Sequence, residues 1–235
     1  LNKIGDKIMT VDYVNNPNQR TPCVLVLDAS WSMSSKTSSG KTRIEQLNEG
    51  LHELENALKS DPTALTRVQL SIVIVGGPNS QAELLMDWTD ANNFTAFDLI
   101  PDGNTPLAEG LQIGLELVDE AKDNLRGNGI SYTRPWMIII SDGAPTSSTA
   151  AWRDATAATK DAEANKKVEI FAIAVEGASI EQMNQISHKP CAQLSGMKFK
   201  ELFVWLSDSL SAVTQSRPGE DITLPDTDPW RHVGL

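Results

Sequence analysis

Two segments of the chain are continuously apolar, and a carboxylate follows each of them. Residues 24–27 precede Asp28, and residues 136–140 precede Ser141 and Asp142. A short apolar run without alternation is typical of a strand that is buried on both faces, as in a parallel sheet. The two segments therefore predict central strands that carry polar groups at their carboxyl ends.

The rest of the chain alternates between helical and strand-like patterns. Apolar spacing and composition predict helices at about residues 42–59, 107–118, 150–165, 180–187 and 199–213. Alternating or apolar runs predict strands at residues 68–74, 81–88 and 168–175, with a further short candidate at 8–14. The strand at 81–88 follows a Gly-Gly-Pro turn, so we expect it to be an antiparallel edge strand.

Strands that alternate with helices predict the α/β fold class. We expect a doubly wound, mostly parallel sheet of Rossmann-like type, with one antiparallel edge strand and helices on both faces. At 235 residues the chain is long enough for one such domain, which we place at residues 22–214. A polar lead-in at residues 1–21 precedes it, and an extended, acidic tail at residues 215–235 follows.

The composition narrows the classes of partner. A formal net charge of −11 disfavours binding to nucleic acid or to an anionic membrane surface, because both are polyanions. No apolar run reaches the length of a membrane span. Cys23 and Cys191 are far apart, which excludes a zinc module or a disulfide framework, and we expect two buried free thiols in a cytoplasmic protein. No pattern in the sequence indicates an oligomeric state.

Polar side chains from three distant segments are expected to meet at one edge of this sheet. Asp28, Ser30 and Ser32 alternate, and alternate residues of an extended chain point to the same side. Thr105 precedes a predicted helix, and Asp142 follows a central strand. Parallel strands deliver their carboxyl ends to a common edge, where α/β proteins bind ligands. Hydroxyl and carboxylate oxygens at this edge suit a hard divalent cation.

The same residue types also have a simpler interpretation. Asp and Ser directly after a strand are common helix N-caps, and Thr105 followed by Pro106 is a good N-cap as well. One threonine hydroxyl can serve both as a cap and as a metal ligand. Both interpretations of these residues therefore stay open.

Three motifs occur in order along the chain: Asp28-Ala29-Ser30-Trp31-Ser32, Gly103-Asn104-Thr105-Pro106 and Ser141-Asp142-Gly143. With them the sequence resembles the von Willebrand factor A (vWA) family, whose metal-ion-dependent adhesion site combines such an Asp-x-Ser-x-Ser motif with a distant Thr and an Asp-Gly turn. The resemblance implies Mg²⁺ or Mn²⁺ as the cofactor, with Ca²⁺ less suited, and a protein partner that offers an Asp or Glu to the metal. The implied metal ligands are Asp28, Ser30, Ser32, Thr105 and Asp142.

Flanking segments resemble the bacterial TerY-like branch of this family, which is associated with tellurite resistance. They are Asn16-Pro17, Tyr132-Thr133-Arg134-Pro135-Trp136, Pro145-Thr146, Phe203-Val204-Trp205-Leu206-Ser207 and Arg217-Pro218-Gly219-Glu220. This resemblance implies a non-enzymatic binding module that acts with a protein kinase and a PP2C-type phosphatase in a bacterial stress response.

The chain departs from the family at Trp31, because a glycine is common between the two serines of the first motif. The indole is expected either to pack beneath the loop or to stand at the rim of the metal site. In the second position it would be an aromatic anchor for a partner.

Other functions fit parts of the same pattern. A phosphotransferase of the haloacid-dehalogenase type also uses Mg²⁺ and an Asp after the first strand, but its proton donor would fall at Ser30. A metal-independent scaffold could bind its partner through the acidic helices or the tail. The segment Ser39-Gly40-Lys41-Thr42 resembles the end of a P-loop, but the opening glycine of that motif would fall at Ser35. No Gly-x-Ser-x-Gly elbow is present for Ser-His-Asp hydrolysis.

Overall fold

The computed structural model describes residues 11–13, 15–194, 199–215 and 231–232. The strands are β1 (Thr21–Ala29), β2 (Val68–Gly76), β3 (Gln81–Asp90), β4 (Trp136–Ser141), β5 (Glu169–Ala174), β6 (Ala192–Leu194) and β7 (Arg231–His232). The helices are α1 (Arg43–Ser60), α2 (Pro62–Arg67), α3 (Leu107–Gly127), α4 (Thr149–Ala164), α5 (Ile180–Met183) and α6 (Phe199–Gln215), and a short 3₁₀ helix spans Trp31–Ser34.

The strands form one sheet in the order β3-β2-β1-β4-β5-β6-β7. β1 pairs in parallel with β2 and β4, and the parallel pairing continues through β5 to β6. β3 is an antiparallel edge strand, as the turn after β2 predicts. The predicted fold class is thus confirmed. The two-residue β7 adds an antiparallel pairing with β6 at the other edge, within the segment expected to be an extended tail.

β1 lies inside the sheet between β2 and β4, and all of its residues are buried. Its side chains alternate between two hydrophobic cores, one on each face of the sheet. On one face Leu25 and Leu27 share a core with residues of α1 and α6, and on the other Val24 and Val26 share a core with residues of α3. Burial of each such aliphatic side chain contributes about 1.5 to 3 kcal/mol to the stability of the fold. The packing on both faces therefore fixes the position of the strand and of its ends.

Two helices differ in length from the prediction. α3 continues to Gly127, well beyond the predicted end at residue 118, because Ala121 and Leu125 extend its buried stripe. α5 ends at Met183, earlier than predicted, and the chain continues in turns such as the hydrogen bond from the Ile186 N–H to the Met183 carbonyl.

The hydrophobic pattern does not predict α2 or β6, because both are too short to show a period. α2 nevertheless has a clear start, since the Asp61 carboxylate accepts hydrogen bonds from the Thr63 and Ala64 N–H groups and Pro62 occupies the first helical position. Most of the candidate strand at residues 8–14 lies outside the described residues, and residues 11–13 form no strand.

Both cysteines are buried and neither forms a disulfide, as predicted, with Cys23 inside β1 and Cys191 just before β6. Burial raises the pKa of the Cys23 thiol far above its ordinary value. Among the residues described, no helix is both long and apolar enough to cross a membrane.

Candidate metal centre

The candidate site lies where the strand order reverses. From β1 the chain passes to β2 on one side, whereas β4 pairs with the other side of β1. The register sets Leu27 opposite Ile140, which brings Asp28 and Ser141 to neighbouring strand ends. Doubly wound sheets bind their ligands in the crevice at such a switch point.

Asp28 is fully buried at the end of β1. Its Oδ1 accepts a hydrogen bond from the Ser30 N–H at 2.8 Å, and its Oδ2 accepts one from the Ser141 hydroxyl at 2.5 Å. Burial, followed by the charge of Asp142, raises the pKa of Asp28 to about 6, although the bonds from Ser141 and Ser30 lower it. The carboxylate is thus fixed by neutral donors, and its negative charge is available to a cation.

The two serine hydroxyls converge although the chain does not stay extended. Ser30 has extended backbone angles, φ −67° and ψ 164°, but the 3₁₀ helix starts at Trp31. The Ser30 and Ser32 hydroxyl oxygens lie 3.0 Å apart. No side chain caps the 3₁₀ helix, so the N-cap interpretation does not explain Ser30.

Thr105 reaches the same edge through contacts between loops. The Trp31 N–H donates to the Gly103 carbonyl at 3.0 Å, which joins the loop before α3 to the end of β1. The Thr105 N–H donates to the Thr146 hydroxyl at 3.1 Å, and the Thr146 N–H donates to the Thr105 carbonyl at 2.9 Å. Pro106 occupies the N-cap position of α3, and the hydroxyl that accepts from the first turn of the helix, at the Ala108 N–H, is that of Ser147 at 3.2 Å. The buried Thr105 therefore does not act as an N-cap.

Gly76, at the end of β2, permits the loops to approach so closely. Its φ is +91°, and a Cβ there would lie 2.7 Å from the Asn104 carbonyl oxygen and 2.8 Å from the Ser30 Cα. Any other residue would push the Thr105 loop away from the serine loop.

Asp142 supplies the second carboxylate and is buried. Its Oδ1 accepts a long hydrogen bond, 3.4 Å, from the Ala144 N–H. Its Oδ2 lies 3.3 Å from Nη1 of Arg43, the first residue of α1. Because the charge of Asp142 raises the pKa of Asp28, the two carboxylates act on one another.

The chemistry of these side chains fits a hard cation. The described part of the chain contains no group of three or more His, Cys, Asp or Glu residues that could hold a metal ion. A metal at this edge would therefore need hydroxyl ligands beside the two carboxylates, which suits Mg²⁺ or Mn²⁺ with water in the remaining positions. A soft metal would find no thiolate or imidazole here.

Comparison with known proteins identifies the family. The model of the von Willebrand factor type A domain matches residues 23–200. The chain belongs to this family. The match is to the vWA family as a whole, and the TerY-like assignment stays a prediction. A search of the curated proteins finds no match.

Solved vWA-like structures share the fold. The SpRpn10 vWA domain superposes with a TM-score of 0.51 at 15% identity, over 74% of this chain and 86% of that one. The pilus adhesin SpaC from Lactobacillus rhamnosus GG gives 0.64 at 15% identity, over 83% of this chain and 31% of that one. The PilB minor pilin from Streptococcus sanguinis gives 0.54 at 10% identity, over 83% and 62%. At these identities the likeness shows the fold alone.

Two large apolar side chains of this vWA domain are exposed near the candidate site. Trp31 is 68% exposed and Ile100 is 65% exposed. The Asp102 N–H donates to the Ala29 carbonyl at 2.9 Å, which ties the loop of Ile100 to the end of β1. The indole of Trp31 therefore stands at the rim and does not pack beneath the loop.

Three residues that shape the site are absent from the predicted set. Ser141 orients Asp28, Thr146 holds the backbone of Thr105, and Arg43 contacts Asp142. A polar residue at the end of an apolar strand was a usable signal for Ser141. Arg43 gives no such signal, because its contact with Asp142 spans 99 positions in the sequence.

Proposed function

We propose that this vWA domain is a metal-ion-dependent protein-binding module. Mg²⁺ or Mn²⁺ would be held at the switch point between β1 and β4 and would recruit an Asp or Glu of a protein partner. The proposed ligands are Asp28, Ser30, Ser32, Thr105 and Asp142. The observation that carries the proposal is the convergence of the buried Asp28, the paired serine hydroxyls and Asp142 at one strand edge.

The low charge of this set supports binding rather than catalysis. Only Asp28 and Asp142 are anionic, so the two carboxylates just balance a divalent ion, which would keep water-filled positions and could accept one further carboxylate there. The chain's own contribution is to hold the oxygens in position: Ser141 fixes Asp28, and Thr146 fixes the backbone at Thr105. We propose no catalytic role for these residues.

The exposed rim supports a protein as the ligand. Trp31 offers an aromatic surface beside the site, and aromatic residues are enriched among the residues that dominate binding energy at interfaces. A partner segment with a carboxylate next to apolar side chains would satisfy both the metal and the indole.

The finer assignment is also a proposal. The flanking segments, such as Tyr132-Thr133-Arg134-Pro135-Trp136 before β4 and Pro145-Thr146 after it, support the TerY-like branch. We therefore propose a protein kinase and a PP2C-type phosphatase as partners in a bacterial stress response. A cytoplasmic location would keep Cys23 and Cys191 reduced, in agreement with the absence of a disulfide between them.

Partner capture with and without a chelator tests this function. The immobilised full chain should retain a candidate kinase or phosphatase in Mg²⁺ and release it in EDTA, and Asp28→Ala should fail to retain it. The matched control is Asp154→Ala, which removes an exposed aspartate of α4 and should bind as the wild type does. Capture that is indifferent to EDTA would instead favour the metal-independent scaffold. Phosphatase activity of the purified chain that Asp28→Asn abolishes would favour the haloacid-dehalogenase type.

A further inference from the structure

The side chain of Arg43 connects the two loops that carry the candidate ligands. Nη1 donates to the Ser32 carbonyl at 3.2 Å and lies 3.3 Å from Oδ2 of Asp142. The side chain is only 15% exposed. The Arg43 guanidinium therefore lies against the candidate metal site.

The surrounding backbone holds Arg43 in this position. A capping box at the start of α1 joins Thr42 and Glu45, whose carboxylate accepts from the Thr42 N–H at 2.7 Å. The Arg43 N–H itself donates to the Ser35 carbonyl at 3.1 Å. On the far side, a Cβ at Gly177 would lie 2.7 Å from Nη2, so the guanidinium packs closely against this glycine. Backbone thus surrounds the Arg43 side chain at both of its ends.

A cation in this place changes the charge balance of the site. Without Arg43 the site would hold two negative charges, from Asp28 and Asp142. The guanidinium neutralises one of them and repels any second cation that approaches the same carboxylate. Arginine keeps its charge at all physiological pH values, so Arg43 repels an approaching cation throughout this pH range.

We propose that Arg43 is a built-in counter-ion of Asp142 that keeps the metal affinity of the site low. This inference rests on the proposed metal-dependent function and adds its regulation. Because Arg43 neutralises one negative charge of the site, the carboxylate of a bound partner restores that charge beside the metal. By linkage, metal and partner then each raise the affinity for the other.

A double-mutant cycle tests the counter-ion role without any metal. In EDTA, Arg43→Gln should lower the melting temperature by several degrees, because it leaves Asp142 buried and uncompensated. In an Asp142→Asn background the same substitution should change the melting temperature by less than about 1 °C. Equal shifts in both backgrounds would overturn the inference.

Metal titration tests the effect on affinity. By calorimetry with Mg²⁺, Arg43→Gln should bind about tenfold more tightly than the wild type, whereas Arg43→Lys, which keeps the charge, should stay within about threefold. The control Arg153→Gln alters an exposed arginine of α4 and should leave the affinity unchanged. If the wild type binds Mg²⁺ and Arg43→Gln binds no more tightly, this inference alone fails. If neither protein binds Mg²⁺ or Mn²⁺, the proposed function fails and the inference fails with it.

Discussion

The two ends of the parallel strands accommodate buried charge in opposite ways. At the amino end, just before β1, the fully buried Arg20 donates to three backbone carbonyls of the preceding segment. The distances are 2.7 Å to Asn18, 3.0 Å to Asp12 and 2.7 Å to Asn16. Nη1 and Nη2 of this cation thus have acceptors, whereas its buried Nε has no hydrogen-bond partner.

The carboxylate at the amino end has both a cation and hydrogen-bond donors close to it. Asp90 lies 3.7 Å from Nε of Arg20 and accepts hydrogen bonds from the Gln69 side chain and the Asp12 N–H, each at 3.0 Å. One buried cation thus faces one buried anion at this end. At the carboxyl end, the charges of two buried carboxylates, Asp28 and Asp142, act on one another, and the Arg43 guanidinium contacts Asp142.

The difference separates a structural cluster from a candidate binding site. A matched buried pair stabilises the fold only in the sense that breaking it is very unfavourable. An excess of one charge destabilises the fold unless a ligand of the opposite charge binds. Sites of this kind are retained where they serve binding. The expected effects on the free energy of unfolding decrease from the matched cluster to the exposed rim.

Arg20→Ala should have the largest effect. We expect the free energy of unfolding to fall by about 3 to 5 kcal/mol, because Asp90 loses its buried counter-ion and the three carbonyls lose their donor. Urea denaturation should give the same loss in EDTA and in Mg²⁺. Arg153→Ala, at an exposed position, should change stability by less than about 0.5 kcal/mol. If Arg20→Ala lowers the free energy of unfolding by less than about 1 kcal/mol, the cluster at the amino end does not stabilise the fold, and the contrast with the carboxyl end fails.

The ionisation of Asp28 should have the second largest effect on the free energy of unfolding. Burial raises its pKa from the ordinary 3.8 to about 6, so the folded state binds the proton more tightly than the unfolded state. The stability that protonated Asp28 contributes is therefore complete below about pH 4 and is lost as the pH rises through 6. We compare the free energy of unfolding of Asp28→Asn with that of the wild type in EDTA. The variant should gain up to about 3 kcal/mol relative to the wild type between pH 4 and pH 7.

Urea denaturation at several pH values measures this shift. The matched variant Asp154→Asn, at an exposed position of α4, should show a constant difference from the wild type over the same range. A constant difference for Asp28→Asn as well would mean that the buried carboxylate is not destabilised.

Addition of metal should change the free energy of unfolding by less than the ionisation of Asp28 does, and it should stabilise the fold. At ten times its dissociation constant, Mg²⁺ should raise the free energy of unfolding by about 1.4 kcal/mol, because it binds only the folded state. Thermal unfolding in EDTA and in MgCl₂ measures this, with CaCl₂ as the comparison. The shift should persist in Arg153→Ala and disappear in Asp28→Ala. An equal shift in Asp28→Ala would place the bound ion elsewhere.

Trp31→Ala should have the smallest effect on stability. The indole is exposed, so we expect a change of less than about 0.5 kcal/mol by urea denaturation. The same variant should retain less partner in the capture experiment, and Ile100→Ala provides a second exposed apolar position for comparison. A stability loss above about 1 kcal/mol would show that Trp31 is a packing residue.

Much of the carboxyl end could be predicted because its residues are close in sequence to strong strands. Asp28 and Asp142 follow apolar runs, and the position of an apolar run in a parallel sheet determines where its end lies. The serines were found from their spacing alone, although a 3₁₀ turn rather than an extended chain brings them together. Thr105 was proposed as a ligand through its motif, which stays a prediction, and its suggested role as an N-cap was wrong because Pro106 holds that position.

The matched cluster at the amino end and the contact of Arg43 could not be predicted. Arg20 precedes β1 and Asp90 ends β3, so three strands and two helices separate them along the chain, and nothing in the local pattern marks either as buried. The sequence pattern places Arg43 at the start of an amphipathic helix, whose solvent-facing positions are ordinarily charged. Long-range side-chain contacts depend on the packed geometry of loops, which no period in the sequence encodes.

The burial of both native cysteines gives this protein a practical property. Reagents that label thiols react with the thiolate, and Cys23 is shielded from solvent and its pKa is raised. A cysteine introduced by Ile100→Cys would stand in solvent at the rim, where 65% of the native side chain is exposed. A fluorophore attached there would report the arrival of a partner in real time without alteration of any proposed ligand.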